Sequence, residues 1–228
     1  RNADHRRLRA RRQRLGPHLS RPAQGRRPGL RRKVNHGFDK KSSAELRKRG
    51  LHVVRFNFPY TERNSRRPDP MLLLQACIVA VETHARQAID APRWILGGRS
   101  MGGRAASMLA ASGHACDGLL LLAYPLHPAG QPQKLRDAHL PRITSPTLCL
   151  NGTNDALCQR ELMDALVTRL SPNWKMHWLA DADHSFHVTK ASGRTDADVR
   201  DEIGSATAAW VASITNPPVA DRHTPRRP

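Results

Sequence analysis

A chain of 228 residues with 39% hydrophobic content can build one sizeable core, and at 4% aromatic that core must be aliphatic. The net charge of +19 suggests nucleic acid or an anionic surface, yet residues 1–33 hold thirteen Lys/Arg against one acid, leaving twenty-five against eighteen for residues 34–228. Four cysteines without a Cys-x-x-Cys pair argue against a disulfide framework or zinc knuckle, and no apolar run is long enough for a bilayer span or placed as a secretory signal; the expectation is a soluble, cytoplasmic chain.

Residues 1–33 are Arg, Pro and Gly with little to bury, so the segment is expected to be disordered. Three readings compete for it: a nucleic-acid-binding arm, an Arg-rich targeting peptide, or sequence not native to the domain. Ser42 and Ser43 before Ala44–Arg49, with Gly50 as a stop, predict a short capped helix. Leu51–Asn57 is β-branched and aromatic and predicts a strand ended by Pro59. A polar loop with Pro68 and Pro70 leads to a long helix over roughly 70–90.

Trp94–Gly97 predicts a short strand and Gly102–Ser112 a helix of small residues. Leu119–Ala123 and Thr147–Asn151 read as buried strands, Gln159–Leu170 as a helix, Lys175–Leu179 as a last strand and Asp198–Ile214 as a last helix. Thr215–Pro228, with four prolines, reads as a flexible tail. Strands alternating with helices predict α/β architecture: a mostly parallel sheet with helices on both faces.

Gly98-Arg99-Ser100-Met101-Gly102 is a Gly-x-Ser-x-Gly pattern. Alone it is weak, but here it sits between a strand and a helix, the setting a nucleophile elbow requires. A serine hydroxyl attacks only when a base takes its proton, and the partners should follow in the order Ser, Asp, His, each just after a strand. Asp155 follows the strand at Thr147, and His184 follows the strand at Lys175. His184 is then the general base to Ser100, and Asp155 fixes its tautomer. Alternatives stay open: Asp181 or Asp183 orienting the base, His184 and His187 binding a metal, Cys158 as a reactive thiol, or a Gly-rich turn that only packs or binds phosphate.

Arg55-Phe-Asn-Phe-Pro-Tyr-Thr-Glu-Arg63, Gly97-Gly-Arg-Ser-Met-Gly-Gly-Arg104 and Tyr124-Pro-Leu-His-Pro128 resemble the α/β-hydrolase-like domain of the testis-expressed-thirty and NSL-complex-subunit-three family, relatives of dienelactone hydrolase. Arg136-Asp-Ala-His-Leu140, Asn151-Gly-Thr-Asn-Asp155 and Asp183-His184 continue the likeness over roughly residues 34–214. The resemblance implies an α/β-hydrolase fold and places nucleophile, acid and base on Ser100, Asp155 and His184; the short stretch between Ala123 and Thr147 predicts that the fold has no lid domain. The resemblance implies no particular substrate, and one eukaryotic member is better regarded as a scaffold.

Family members begin with a strand ending in a His-Gly-Ala-Gly-Ala-type loop followed by a Met-Asp/Asn-x-x-Phe stretch. Val34-Asn-His-Gly-Phe38 is similar to the later stretch, and no apolar strand precedes it, so that N-terminal strand is expected to be missing. Arg/Pro/Gly-rich text is what a GC-rich coding region yields out of frame, and residues 1–33 are read as such a stand-in. Met101 then supplies one oxyanion N–H while the other, from the lost loop, is absent, which would impair activity.

Only about two dozen residues separate Leu119–Ala123 from Thr147–Leu150, and Pro125, Pro128, Pro132 and Pro141 stiffen them. An uncapped site suits a small or exposed acyl substrate. Tyr60, Arg63, Arg99 and His127 are candidate substrate contacts, the cationic ones favouring an anionic substrate. The expected activity is serine hydrolysis of an ester or related acyl bond, with no cofactor and no metal. The competing expectations are a catalytically silent scaffold, and nucleic-acid binding by the N-terminal arm with steep salt dependence.

Overall fold

The computed structural model describes residues 40–215. The expectations for residues 1–33, for Val34–Phe38, for a lost N-terminal strand and for the tail beyond Thr215 lie outside them. Among the described residues the sheet has four strands, all parallel and in sequence order: β1 (Ile95–Arg99), β2 (Gly118–Leu122), β3 (Thr147–Gly152) and β4 (Trp174–Leu179). Six α-helices among the described residues accompany it: α1 (Lys40–Lys48), α2 (Pro59–Glu62), α3 (Met71–Ala88), α4 (Met101–Ala111), α5 (Arg160–Val167) and α6 (Asp196–Thr215).

The sheet is covered on both faces, and side-chain alternation along the strands shows how. Leu119 and Leu121 of β2 and Cys149 of β3 join Leu74 and Ile78 of α3, Leu109 of α4 and Met163 and Leu166 of α5 in one core cluster. Leu120 and Leu122 of β2 and Leu148 and Leu150 of β3 turn the other way, toward Val199, Ile203 and Trp210 of α6. β2 is therefore buried along its whole length, which is why it reads as an unbroken leucine run. Each fully buried leucine contributes about 1.5–3 kcal/mol of transfer free energy.

Helix faces follow the same logic. Leu74, Ile78, Glu82 and Ala85 form the inward stripe of α3. Glu82 is buried but partnered: Arg86 pairs with its carboxylate and His114 Nε2 hydrogen-bonds to it, each at 2.7 Å, tying α3 to the residues after α4. α1 ends in a pair of tightening bonds, Gly50 N to Arg47 O at 3.0 Å and Leu51 N to Leu46 O at 3.2 Å. The glycine stop after this helix is where the sequence puts it.

Two local expectations are corrected. Ser42 and Ser43 do not cap α1; the helix already includes Lys40, both serines are buried, and Ser43 Oγ donates back to Lys40 O at 3.0 Å. Leu51–Asn57 forms no strand, because the described sheet begins at β1 and no described strand lies beyond it to pair with this run. The segment is irregular, with Val54 46% and Phe56 38% exposed. It ends in α2, a single turn opened by Pro59, a favoured first helical residue that sequence periodicity does not reveal in so short an element.

Candidate active site

All four strands point the same way, so their carboxyl ends share one rim of the sheet, and Ser100, Asp155 and His184 follow β1, β3 and β4 there. Ser100 occupies the turn between β1 and α4 with φ +51° and ψ −116°, a region that non-glycine residues rarely adopt. The turn closes only because its neighbours lack side chains. A Cβ on Gly98 would stand 2.4 Å from the carbonyl carbon of Gly102, and one on Gly103 would stand 2.7 Å from the Gly98 oxygen.

The three side chains form one chain of hydrogen bonds. Ser100 Oγ lies 2.9 Å from His184 Nε2, and His184 Nδ1 lies 2.8 Å from Asp155 Oδ2 and 3.0 Å from Oδ1. With the proton on Nδ1, the ring donates to the carboxylate and leaves Nε2 free to accept from the serine. The Asp155 side chain is fully buried and His184 is about one quarter exposed, so the base faces solvent while its partner does not.

Asp155 is held by more than the histidine. Leu157 N–H donates to Oδ1 at 2.8 Å and the Asn151 amide donates to Oδ2 at 3.2 Å. Asn151 is wholly buried at the end of β3, and its amide also grips Tyr124, accepting from the backbone N–H and donating to the carbonyl, each at 3.0 Å. It bolsters the left-handed turn that Ala123 makes after β2 at φ +47°. Asn151 leaves little trace in the sequence, where a polar residue at a strand end is common; its place four residues before Asp155 is the one clue to its role.

The acid and base loops interlock. A Cβ on Gly152 would fall 2.0 Å from Ala182 O, so the two loops touch backbone to backbone. Asn154 N donates to Ala182 O at 2.9 Å, and Asp181 N donates to Thr153 Oγ1 at 2.8 Å. Asp183 does not face the imidazole: its carboxylate accepts from the Ser185 and His187 amides. Asp181 reaches the acid loop through its backbone instead.

The remaining candidates separate. His127 does not line the mouth, and this corrects the expectation: it is 1% exposed, its Nδ1–H donates to Pro128 O at 2.9 Å and its Nε2 accepts from Gln159 N–H at 3.0 Å. A stiff proline loop looked like surface, but the ring is spent on joining that loop to the start of α5. Arg99 is half-buried and donates to the carbonyl of His184 at 2.6 Å, its guanidinium 5.4 Å from the Phe186 ring centre. Arg63 pairs with Asp69 and borders a cleft of about 410 Å³ lined also by Ser65, Arg67, Pro68 and Pro70, none of them triad residues. Tyr60 stacks on Phe58, whose ring edge would lie 3.9 Å from a Cβ on Gly102.

Cys158 is 1% exposed, and burial pushes its thiol far up, with Cys149 and Asp155 adding to the effect, so it stays neutral. His187 Nδ1 pairs with Asp196, and the described residues hold no cluster of three or more His, Cys, Asp or Glu suited to a metal. No described helix is long and apolar enough to cross a membrane.

Solved structures share this architecture at low identity. An alpha-beta serine hydrolase homologue from Coxiella burnetii is 24% identical with a TM-score of 0.53, over 74% of this chain and 77% of that one. A putative alpha/beta hydrolase from Agrobacterium tumefaciens is 20% identical with a TM-score of 0.57, over 77% and 76%. A lidless alpha/beta serine hydrolase from Xanthomonas campestris is 22% identical with a TM-score of 0.53, over 75% and 72%. These likenesses establish the fold, and the sequence model of the alpha/beta hydrolase domain matches residues 31–212. With the parallel sheet and the elbow turn in place, the chain belongs to the alpha/beta hydrolase domain family and has its fold.

Proposed function

We propose that this hydrolase cleaves an ester or related acyl bond through an acyl-enzyme on Ser100. The observation that carries the reading is the unbroken relay from Ser100 Oγ through His184 to Asp155, at 2.9 and 2.8 Å. His184 Nε2 takes the hydroxyl proton as Oγ bonds to the substrate carbonyl carbon. The resulting imidazolium gives that proton to the departing alcohol as the carbon–oxygen bond breaks. Water then repeats the sequence, its proton passing to His184 and on to Ser100 as the acid leaves. Asp155, held as an acceptor by Asn151 and Leu157, stabilises the imidazolium in both halves. Met101 N–H, in the first turn of α4, is assigned to the oxyanion, since the opening N–H groups of a helix lack intrahelical acceptors.

The stretch from β2 to β3 contains no α-helix, only the short 3₁₀ turn Leu140–Arg142, which supports an open site for small or exposed acyl groups. The neighbour from Xanthomonas campestris is itself described as lacking a lid. Tyr60, stacked on Phe58, stands as a candidate substrate contact, and Arg63 as one at the cleft it borders with Asp69. Within the wider family, the motifs through Arg63, Arg104 and Pro128 support kinship with the testis-expressed-thirty and NSL-complex-subunit-three branch and with dienelactone hydrolase. Four free cysteines support a reducing, cytoplasmic setting.

The test is intact-mass detection of fluorophosphonate labelling on this chain and on Ser100→Ala. One adduct on the first and none on the second is the expected result. No adduct on demonstrably folded protein would overturn the reading and favour a scaffold role.

A further inference from the structure

We propose that Arg99 is a positioning residue, holding the loop that carries His184 against the nucleophile, rather than a substrate contact. The inference rests on the serine-hydrolase reading above and assigns a task within that same site.

The geometry begins with the strand. Arg99 ends β1 four residues after Ile95, so the two side chains project from the same face of the sheet. Ile95 packs against the core cluster that holds Phe186 and Val188, and the Arg99 guanidinium accordingly reaches the base loop, above the Phe186 ring and within 2.6 Å of the His184 carbonyl. One residue therefore spans from the backbone beside Ser100 to the backbone of the base.

That loop needs an external hold. Asp181 and Phe186 both lie in the left-handed region, at φ +60° and +61°, conformations that persist only where surroundings over-determine them. The Asp181 end is tied to the acid loop by Thr153 and Asn154, and the interior by the Asp183 carboxylate. Beyond Phe186, His187 and Val188 N–H are tied to Asp196. The carbonyl of His184 lies between those ties, and its bond comes from Arg99. A charged donor to a carbonyl is stronger than a neutral one, and misplacing a reacting group by about 1 Å costs on the order of 100-fold in rate.

The experiment compares Arg99→Met, which keeps length and covers Phe186 but removes the donors, with Arg99→Lys, which restores one charged donor. Hydrolysis of a neutral aryl ester, p-nitrophenyl acetate, and an anionic one, p-nitrophenyl succinate, is measured for each. A second readout, independent of turnover, is the low-field proton resonance of the His184–Asp155 hydrogen bond, assigned by its loss in Asp155→Asn. The expected result for Arg99→Met is a kcat lowered about 10- to 100-fold on both esters, KM within about twofold, and a broadened or missing low-field resonance. Arg99→Lys should recover most of both losses.

A KM raised for the anionic ester alone, with kcat and the resonance unchanged, would overturn the proposal and return Arg99 to substrate binding. An unchanged Arg99→Met protein would overturn it as well. If Arg99→Met does not fold, Arg99→Gln, which keeps only a neutral donor, is read by the same measures: kcat lowered on both esters with a weakened resonance supports positioning, and kcat and resonance both unchanged overturn it. A wild-type chain that hydrolyses neither ester and takes no fluorophosphonate overturns the functional reading instead, and the resonance still reports whether Arg99 orders His184.

Discussion

Asn151 donates its amide to the carboxylate of Asp155 at 3.2 Å while its own oxygen accepts the backbone N–H of Tyr124 at 3.0 Å. One buried side chain thus joins the end of β2 to the acid of the relay. Replacing it with alanine leaves the buried Tyr124 N–H and one lone pair of Asp155 without a partner inside the protein, while the Tyr124 carbonyl keeps only its bond from Leu126 N–H at 3.0 Å. Asn151→Ala should lower stability by about 2–4 kcal/mol in urea unfolding and slow fluorophosphonate labelling about tenfold.

Asp155→Asn offers a sharper contrast, since it keeps shape and packing. An amide facing Nδ1 reverses the tautomer that His184 needs, so Nε2 carries the proton and cannot accept one from Ser100. Activity should fall by about 10³–10⁴-fold while the melting temperature changes little, as read by turnover beside a thermal scan.

Gly152→Ala tests the contact between the two loops. A methyl group there would sit 2.0 Å from Ala182 O, a distance backbone cannot tolerate, so the base loop must retreat. The expected outcome is a loss of more than about 2 kcal/mol in urea unfolding, together with loss of labelling at Ser100.

Stability should also depend on pH through a residue outside the relay. Burial, with the charges of Arg104 and Arg142 adding to it, pushes His139 down from its ordinary 6.5 to about 4. Its Nε2 lies 2.8 Å from Ser107 Oγ, whose own proton goes to Arg104 O, so the neutral ring serves as the donor. Because the folded value lies below the unfolded one, the unfolded chain binds the extra proton between those limits. Stability should therefore hold above about pH 6.5 and fall as pH drops toward 4, by about 2 kcal/mol. Urea unfolding at pH 7.5 and 4.5 should show this fall, and His139→Gln should flatten it.

Much of this was legible in the residues because burial writes strong patterns. The leucine run of β2 and the apolar stretch of β3 announce strands covered on both faces, and Ser100 between glycines announces a turn between strand and helix. Asp155 and His184 were reachable because parallel strands deliver their following loops to one rim. Leu51–Asn57 was not: alternation shows what a strand would bury, never whether a neighbour exists to take its hydrogen bonds. His127 and Asn151 were equally hidden, since hydrogen bonds to distant backbone leave no local pattern.

The interlocked loops after β3 and β4 divide the relay into two parts of unequal kinship. Asp155 and His184 belong to one block, cross-tied through Gly152, Thr153 and Asn154, whereas Ser100 arrives on a different strand and meets that block through its bond to His184 and the neighbouring Arg99. Warming should accordingly part Ser100 from His184 before it parts His184 from Asp155, so catalysis fades while the acid–base couple is still intact. A covalent adduct on Ser100 that occupies the seam would act as a rivet between the two pieces.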